Sequence, residues 1–402
     1  MRQSFQSSVP KESPGASENW KHLTFTVVFM IVIVLLGIKS FQGLVDFYVN
    51  DVTDYNEWTA DLGNKFETDE ASSFYGKLQF INFNGAVRNV LGQHEMNNII
   101  KLNNGYLLQP HYPADDNLLK TYSDNVIALD RYLKEEGIAF IYVVPPYTVS
   151  KYDPELPTGI YDYANANIDR FMELLEPAGV PTMDLRELMH EDGLNQYDMM
   201  YKTDHHWTTE AAFYTYGKLE DRLVDQLHCK VDGRVSDIDN YDVITYEKWH
   251  LGSYGQRTGS YFAGIDDFNL FVPTFSTTIQ RLSDSQQGSM PDLLYDMEPP
   301  QSKNTKSKYT YDHVFDNSLD NYRNPDCAND KKIMILTDSF GKALTPYLVM
   351  GFQEVRYVPE DDMEQFTKNY IDRYSPDAVI VLYHADCLSD QNDKLNFTGF
   401  AK

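Results

Sequence analysis

The sequence predicts an α/β fold, a doubly wound parallel sheet flanked by helices, and three observations carry that expectation. Short apolar runs, IAFIYVV (138–144), KIMILT (332–337) and AVIVLY (378–383), read as strands buried on both faces. Segments with helical spacing separate them, as parallel strands require. Between about residues 229 and 330 the alternation lapses into aromatic and polar stretches (VITYEKW, GSYGQRTGSYF, FNLFVPTF), which read as an inserted antiparallel β segment.

Taken in order, residues 1–21 are polar, include Arg2, Lys11 and Lys21, and are expected to form a cytoplasmic tail. Residues 22–41 are expected to form a transmembrane anchor, because Leu23 to Ile38 (LTFTVVFMIVIVLLGI) contains no charge. A cleavable signal peptide is the alternative, but no small-x-small site follows the run. Basic residues before it and acidic ones after it (Asp46, Asp51, Asp54, Glu57, Asp61) point to a single-pass protein of the cell membrane whose C-terminal domain is extracytoplasmic. Residues 42–117 form a stalk and N-terminal extension, helical or irregular over 42–72, with Asn104-Gly105 as a tight turn between short strands.

Residues 118–402 are expected to form the catalytic domain. A helix over Leu118–Glu136 ends at Gly137, and the 138–144 strand stops at Pro145-Pro146. A helix follows over Tyr163–Leu175, then a strand over Val180–Leu185 and a helix over Thr208–Leu227 capped by Thr208 or Thr209. The insertion ends in a polar run, Ser283–Asp330, read as a long exposed loop. The alternation resumes with strand Lys332–Thr337, helix Phe340–Met350, strand Glu354–Val358, helix Asp361–Tyr374 and strand Ala378–Tyr383.

Composition narrows the function. A net charge of -26 over 402 residues argues against nucleic acid, whose binding needs clustered Lys and Arg. The three cysteines, Cys229, Cys327 and Cys387, are too few and too scattered for a disulfide framework or a zinc motif. No cofactor is expected.

Active sites in such sheets lie at the carboxyl ends of the strands, which selects two turns. In ILTDSFGKAL, Ser339 sits where a strand gives way to a helix, a nucleophile position; alternatively, Asp338 or Ser339 simply caps that helix. In YKTDHHWTTEAAF, Asp204 and His206 stand just before a helix and are expected to follow a strand. An imidazole can take the serine proton while a carboxylate fixes its tautomer, so Asp204, His206 and Ser339 supply the parts of a triad. A hydrogen-bonded histidine pair is the plainer alternative. A metal site at Asp204, His205 and His206, with or without His190, has the donors but lacks a spaced ligand pair, so no metal is expected. Tyr147 and Tyr383-His384 also end expected strands, where each could line the cleft.

TDHHWT followed by LTDSFG, with NNGYLL upstream, resembles the DHHW protein family, itself similar to the SGNH-like O-acetyltransferases of the alginate acetylation type. The resemblance spans roughly residues 74–384. It implies an SGNH-hydrolase-like sheet with a permuted motif order, the acid and base preceding the serine. It also implies Asp204 as the orienting acid, His206 as the base and Ser339 as the nucleophile. LGSYGQRTGSYF resembles the family's glycine-containing block, suggesting Gly252 or Ser253 as oxyanion donors beside the Ser339 N–H, and Arg257 near the substrate; a plain hairpin is the alternative. Trp207 is expected to pack beside the triad or to stack on a sugar. No counterpart of the SGNH asparagine donor is evident.

The function implied is extracytoplasmic transfer of an acyl group, in the first place acetyl, to hydroxyls of a cell-surface polysaccharide through an acyl-enzyme. A membrane-bound O-acyltransferase would be the partner supplying acyl groups. A glycan O-acetyl esterase and a noncatalytic glycan-binding or assembly protein with the same fold remain the alternatives.

Overall fold

Helix α1, Ala16–Phe47, contains the long apolar run, and its described side chains, from Trp20 to Leu35, are exposed. Among the described residues no helix is long and apolar enough to cross a membrane. The described side chains cover only part of the run, and the anchor stays an expectation. The structure, a computed structural model, describes residues 16–47, 77–295, 314–315, 321–359, 366–389 and 394–400. Most of the expected tail and stalk lies outside them. The chain divides into two units, 1–81 and 82–402.

Helix α2 (Lys77–Val90) is followed by a small antiparallel sheet of β1 (Glu95–Met96), β2 (Ile99–Lys101) and β3 (Leu107–Leu108). The Asn104-Gly105 turn joins β2 to β3, with Gly105 at φ +91, where only glycine is unstrained. Asp115 caps α3 (Asp116–Glu135) by accepting from the N–H groups of Asn117 and Leu118. The helix buries Leu119, Tyr122, Val126, Leu129 and Leu133 on one face and ends before Gly137, which adopts φ +74. Strand β4 (Ala139–Val144) is followed by α4 (Ala164–Leu175), β5 (Thr182–Asp184), α5 (Leu185–Glu191) and α6 (Thr209–Leu227). Thr208, not Thr209, caps α6 through its hydroxyl. The expected 180–185 strand is shorter because Asp184 caps α5, so Leu185 already starts a helix.

Strand β6 (Tyr241–His250) leads through two short helices, α7 (Ser253–Thr258) and α8 (Ser260–Ala263), to its antiparallel partner β7 (Asp266–Pro273). Then come β8 (Ile279–Arg281), β9 (Gln287–Gly288), α9 (Met290–Leu294) and β10 (Asn321–Arg323). The expected rhythm closes the chain: β11 (Lys332–Thr337), α10 (Gly341–Gly351), β12 (Glu354–Pro359), α11 (Lys368–Tyr374) and β13 (Ala378–Leu382).

The main sheet runs β5-β4-β13-β11-β12-β10-β8-β9. Its first five strands are parallel; β10, β8 and β9 extend it antiparallel. Strands of the expected insertion thus continue the parallel sheet at one edge, and the long exposed loop over 283–330 needs correction. Part of that run forms α9 and β10, and Met290, Leu294, Phe315 and Tyr322 are buried. Their apolar residues come singly or in clusters of two or three separated by polar stretches, too short for a periodicity to reveal them.

Thr337, Leu382 and Val143 lie in register across β11, β13 and β4. The chain leaves β11 to one side for β12 and returns on its other side as β13, so the sheet reverses direction at β11. Ligands in such sheets bind outside the strand ends at this point, and Ser339 follows β11 by two residues.

Candidate active site

The TDHH stretch does not follow a strand. A 3₁₀ turn, Gln196–Met199, precedes it, and an antiparallel bridge between Met200 and Trp207 pinches residues 201–206 into a loop. Asp266, the first residue of β7, holds this loop by accepting from the Lys202 and Thr203 N–H groups and the Thr203 hydroxyl. Trp207 anchors its far side. The indole is fully buried against Phe340, rings 5.4 Å apart, and its N–H donates to the Phe340 carbonyl at 3.1 Å. Stacking on a sugar is excluded for a side chain so enclosed; Trp207 ties the histidine loop to the serine turn.

On that turn the Asp338 carboxylate accepts from the Phe340 N–H at 3.1 Å and the His384 N–H at 2.8 Å, and the Tyr357 hydroxyl donates to the Asp338 carbonyl. Helix α10 has no side-chain cap, so neither Asp338 nor Ser339 serves as one. A Cβ at Gly341 would fall 2.2 Å from the Thr337 methyl, so the turn closes only around glycine.

Asp204, His206 and Ser339 meet in series. The Ser339 hydroxyl donates to His206 Nε2 at 2.6 Å, and His206 Nδ1–H donates to Asp204 Oδ1 at 3.2 Å. Asp204 also accepts from the His205 N–H at 2.7 Å, the Ser253 hydroxyl at 2.9 Å and, on Oδ2, His250 Nε2 at 3.1 Å. Burial alone would raise the Asp204 pKa, but His206, His205 and His250 hold it well below the usual carboxylate range. Burial works in the opposite sense on His205 too, yet Asp204 raises its pKa above the ordinary imidazole value. The acid is therefore anionic and fixed on both oxygens, which sets the His206 tautomer that leaves Nε2 free to take the serine proton. Donor atoms of Asp204, His205 and His206 lie within 4.8 Å of one another, but they are already engaged with each other, Ser253 and Ser339.

The other expected site residues fall elsewhere. The Gly252 N–H donates to Thr203 Oγ1 at 2.8 Å and is not an oxyanion donor. The Ser253 hydroxyl supports Asp204. Arg257 bonds the Gln109 side chain and the Asn97 carbonyl, tying α7 to the small sheet. Tyr147 is buried, its hydroxyl between His111 Nδ1 at 2.8 Å and Asp162 at 3.0 Å. The Ser339 N–H has no protein acceptor among the described residues and stays available to an oxyanion. His250 was missed because a lone histidine ending VITYEKWH has no partner nearby in the sequence; its partner is 46 residues away.

Two family models match the chain: the SGNH hydrolase-like domain of the acetyltransferase AlgX over residues 106–233, and the DHHW protein over residues 176–358. No curated protein sequence matches it. Among solved structures, Bacillus cereus PatB1 is 22% identical over 74% of this chain and 99% of its own, with a TM-score of 0.59. A second PatB1 structure, with a sulfonyl adduct, is 21% identical over 73% and 97%, TM-score 0.57. A DHHW family protein from Eubacterium siraeum is 14% identical over 74% and 94%, TM-score 0.54. These likenesses show a shared fold. By its DHHW motif, its family matches and its fold, this chain resembles the DHHW proteins and the SGNH hydrolase-like acetyltransferase domain.

Proposed function

We propose that this protein is an SGNH-like O-acetyltransferase that works through an acyl-enzyme on Ser339. The carrying observation is the hydrogen-bonded series Ser339–His206–Asp204 at the switch point of the sheet. His206 takes the serine proton as Ser339 Oγ attacks the donor's acyl carbon. The proton then passes to the leaving group as the acyl–Ser339 ester forms. A hydroxyl of a cell-surface polysaccharide, deprotonated by the same imidazole, attacks the ester and releases Ser339. Transfer requires the cleft to favour that hydroxyl over water; otherwise the same parts give an esterase.

The exposed apolar side chains of α1 between Leu23 and Leu35 support a membrane anchor that holds the domain on the extracytoplasmic side. A membrane-bound O-acyltransferase would supply acyl groups there. Intact-protein mass after incubation with an acetyl ester tests the chemistry. The wild type should gain about 42 Da, one acetyl group, while Ser339→Ala and His206→Ala should gain nothing. A folded wild type that takes up no acetyl group and no serine-reactive fluorophosphonate would instead be a noncatalytic glycan-binding protein.

A further inference from the structure

A surface helix of a globular domain turns its apolar side inward. Helix α2 does the reverse. Its contacts with the body of the domain run through small and polar residues: Asn82 Oδ1 accepts from the Ser260 N–H at 2.8 Å, and Asn89 Oδ1 accepts from Lys101 Nζ at 3.1 Å. Between them Gly85 is buried against α7 and α8, so closely that a Cβ there would lie 2.5 Å from the Thr258 carbonyl oxygen and 3.0 Å from Phe262 Cβ. At about 100° per residue, Asn82, Gly85 and Asn89 share one face of the helix, and Phe83, Val87 and Val90 lie on the side turned away from it. Phe83 is 69% exposed, Val87 40% and Val90 87%; Leu91, in the turn that follows, is 65% exposed. The polar side is docked and the apolar side is bare.

The sequence of this stretch identifies what covers it. From Lys77 to Gln93 it reads KLQFINFNGAVRNVLGQ, with two basic residues and no acidic one in a chain of net charge -26. Apolar residues along one side of a helix, with cations and no acids beside them, suit a lipid interface, where the apolar side enters the acyl region and the cations meet phosphate headgroups. Two copies of the chain meeting through this stripe would bring like charges together, whereas anionic headgroups neutralise them. The same chain carries the uncharged run Leu23 to Ile38, exposed in its described part, and residues 48–76 alone separate the end of α1 from Lys77.

We propose that the stripe of Phe83, Val87, Val90 and Leu91 docks on a lipid bilayer at the level of the headgroups and first acyl carbons, as a second membrane contact in addition to the anchor. The proposal draws on the anchor reading and is independent of the acyl-transfer chemistry. Helix α2 rests on α7 and α8, and α7 begins at Ser253, whose hydroxyl donates to Asp204. Docking would therefore bring the bilayer to the element next to the triad's acid, where a membrane-held acyl supplier could reach it.

The full chain in vesicles of phosphatidylcholine and phosphatidylglycerol in equal parts supplies the test. Flotation with the vesicles reports the anchor. Hydroxyl-radical footprinting of the unsubstituted protein then reports the stripe: Phe83 and Leu91 should be oxidised at least about fivefold more slowly than Tyr161, an exposed aromatic outside it, after correction for intrinsic reactivity. Protein that floats while Phe83 oxidises as readily as Tyr161 would overturn this inference and leave the anchor standing; protein that does not float would overturn both. Benzoylphenylalanine placed at Phe83 or at Val90 identifies the cover. Irradiation should give adducts of lipid mass at both positions, in yields at least about fivefold above that at Tyr161. Cross-linked dimers, or cross-links into residues 48–76, in place of lipid adducts would assign the stripe to a second copy or to the chain's own segment and overturn the docking on lipid.

Discussion

Gly252 shows how closely one residue governs the triad's acid. Its φ of -67 suits any residue, so space decides its identity: a Cβ there would lie 2.3 Å from Asp204 Cβ and 2.6 Å from Oδ2. Gly252→Ala should push Asp204 off His206 and slow Ser339 acylation by about 100-fold or more, read as the rate of adduct formation. His250→Leu removes the donor to Asp204 Oδ2 and leaves that oxygen buried without its imidazole. It should cost about 1–3 kcal/mol of stability in denaturant unfolding and slow acylation as well. At this scale the sequence was partly legible. Asp204, His206 and Ser339 stood out because each sits in a short motif whose neighbours define its role. Gly252 was located but given the wrong task, because an N–H directed at Thr203 and one directed at a substrate look the same in sequence. His250 acquires its meaning only from Asp204, 46 residues away in the chain.

Among the elements, the β5–α5 junction is organised by Arg186, whose fully buried guanidinium bonds Asp184 at 2.6 Å and Asp169 at 2.8 Å. Arg186→Ala would strand Asp184, itself largely buried, and should lower unfolding stability by about 3–5 kcal/mol, whereas Arg186→Met should recover part of the loss by filling the space. The helices and the central strands were readable because spacing, caps and two-sided apolar runs coincide in them. The antiparallel strands β8, β9 and β10 were not, since each is two or three residues long and draws its identity from a neighbouring strand. The stretch before the DHHW motif failed for a related reason: its single bridge, Met200 to Trp207, has no repeating pattern to detect.

Across the whole molecule, His111, Asp162 and Asp386 fasten the segment before α3 to the chain after β13. Burial would lower the His111 pKa, but the two carboxylates push it up to about 9 from an ordinary 6.5. The protonated ring is favoured by the folded state, so its stabilisation is complete below pH 6.5 and disappears as the pH rises through 9. The denaturation midpoint should fall across that interval by the equivalent of at most about 3 kcal/mol, and His111→Gln should flatten the fall. The strand order has a further consequence, for biosynthesis. The pieces of the triad are 133 residues apart in the chain, and β11, which leads to the serine turn, is flanked in the sheet by two strands made after it, β12 and β13. A growing or prematurely terminated chain thus holds its serine beside an incomplete sheet, and reactivity arrives only with the last strand to be synthesised. Chain completion acts as a safety catch: fragments lacking residues 378–382 should be chemically inert toward acyl donors.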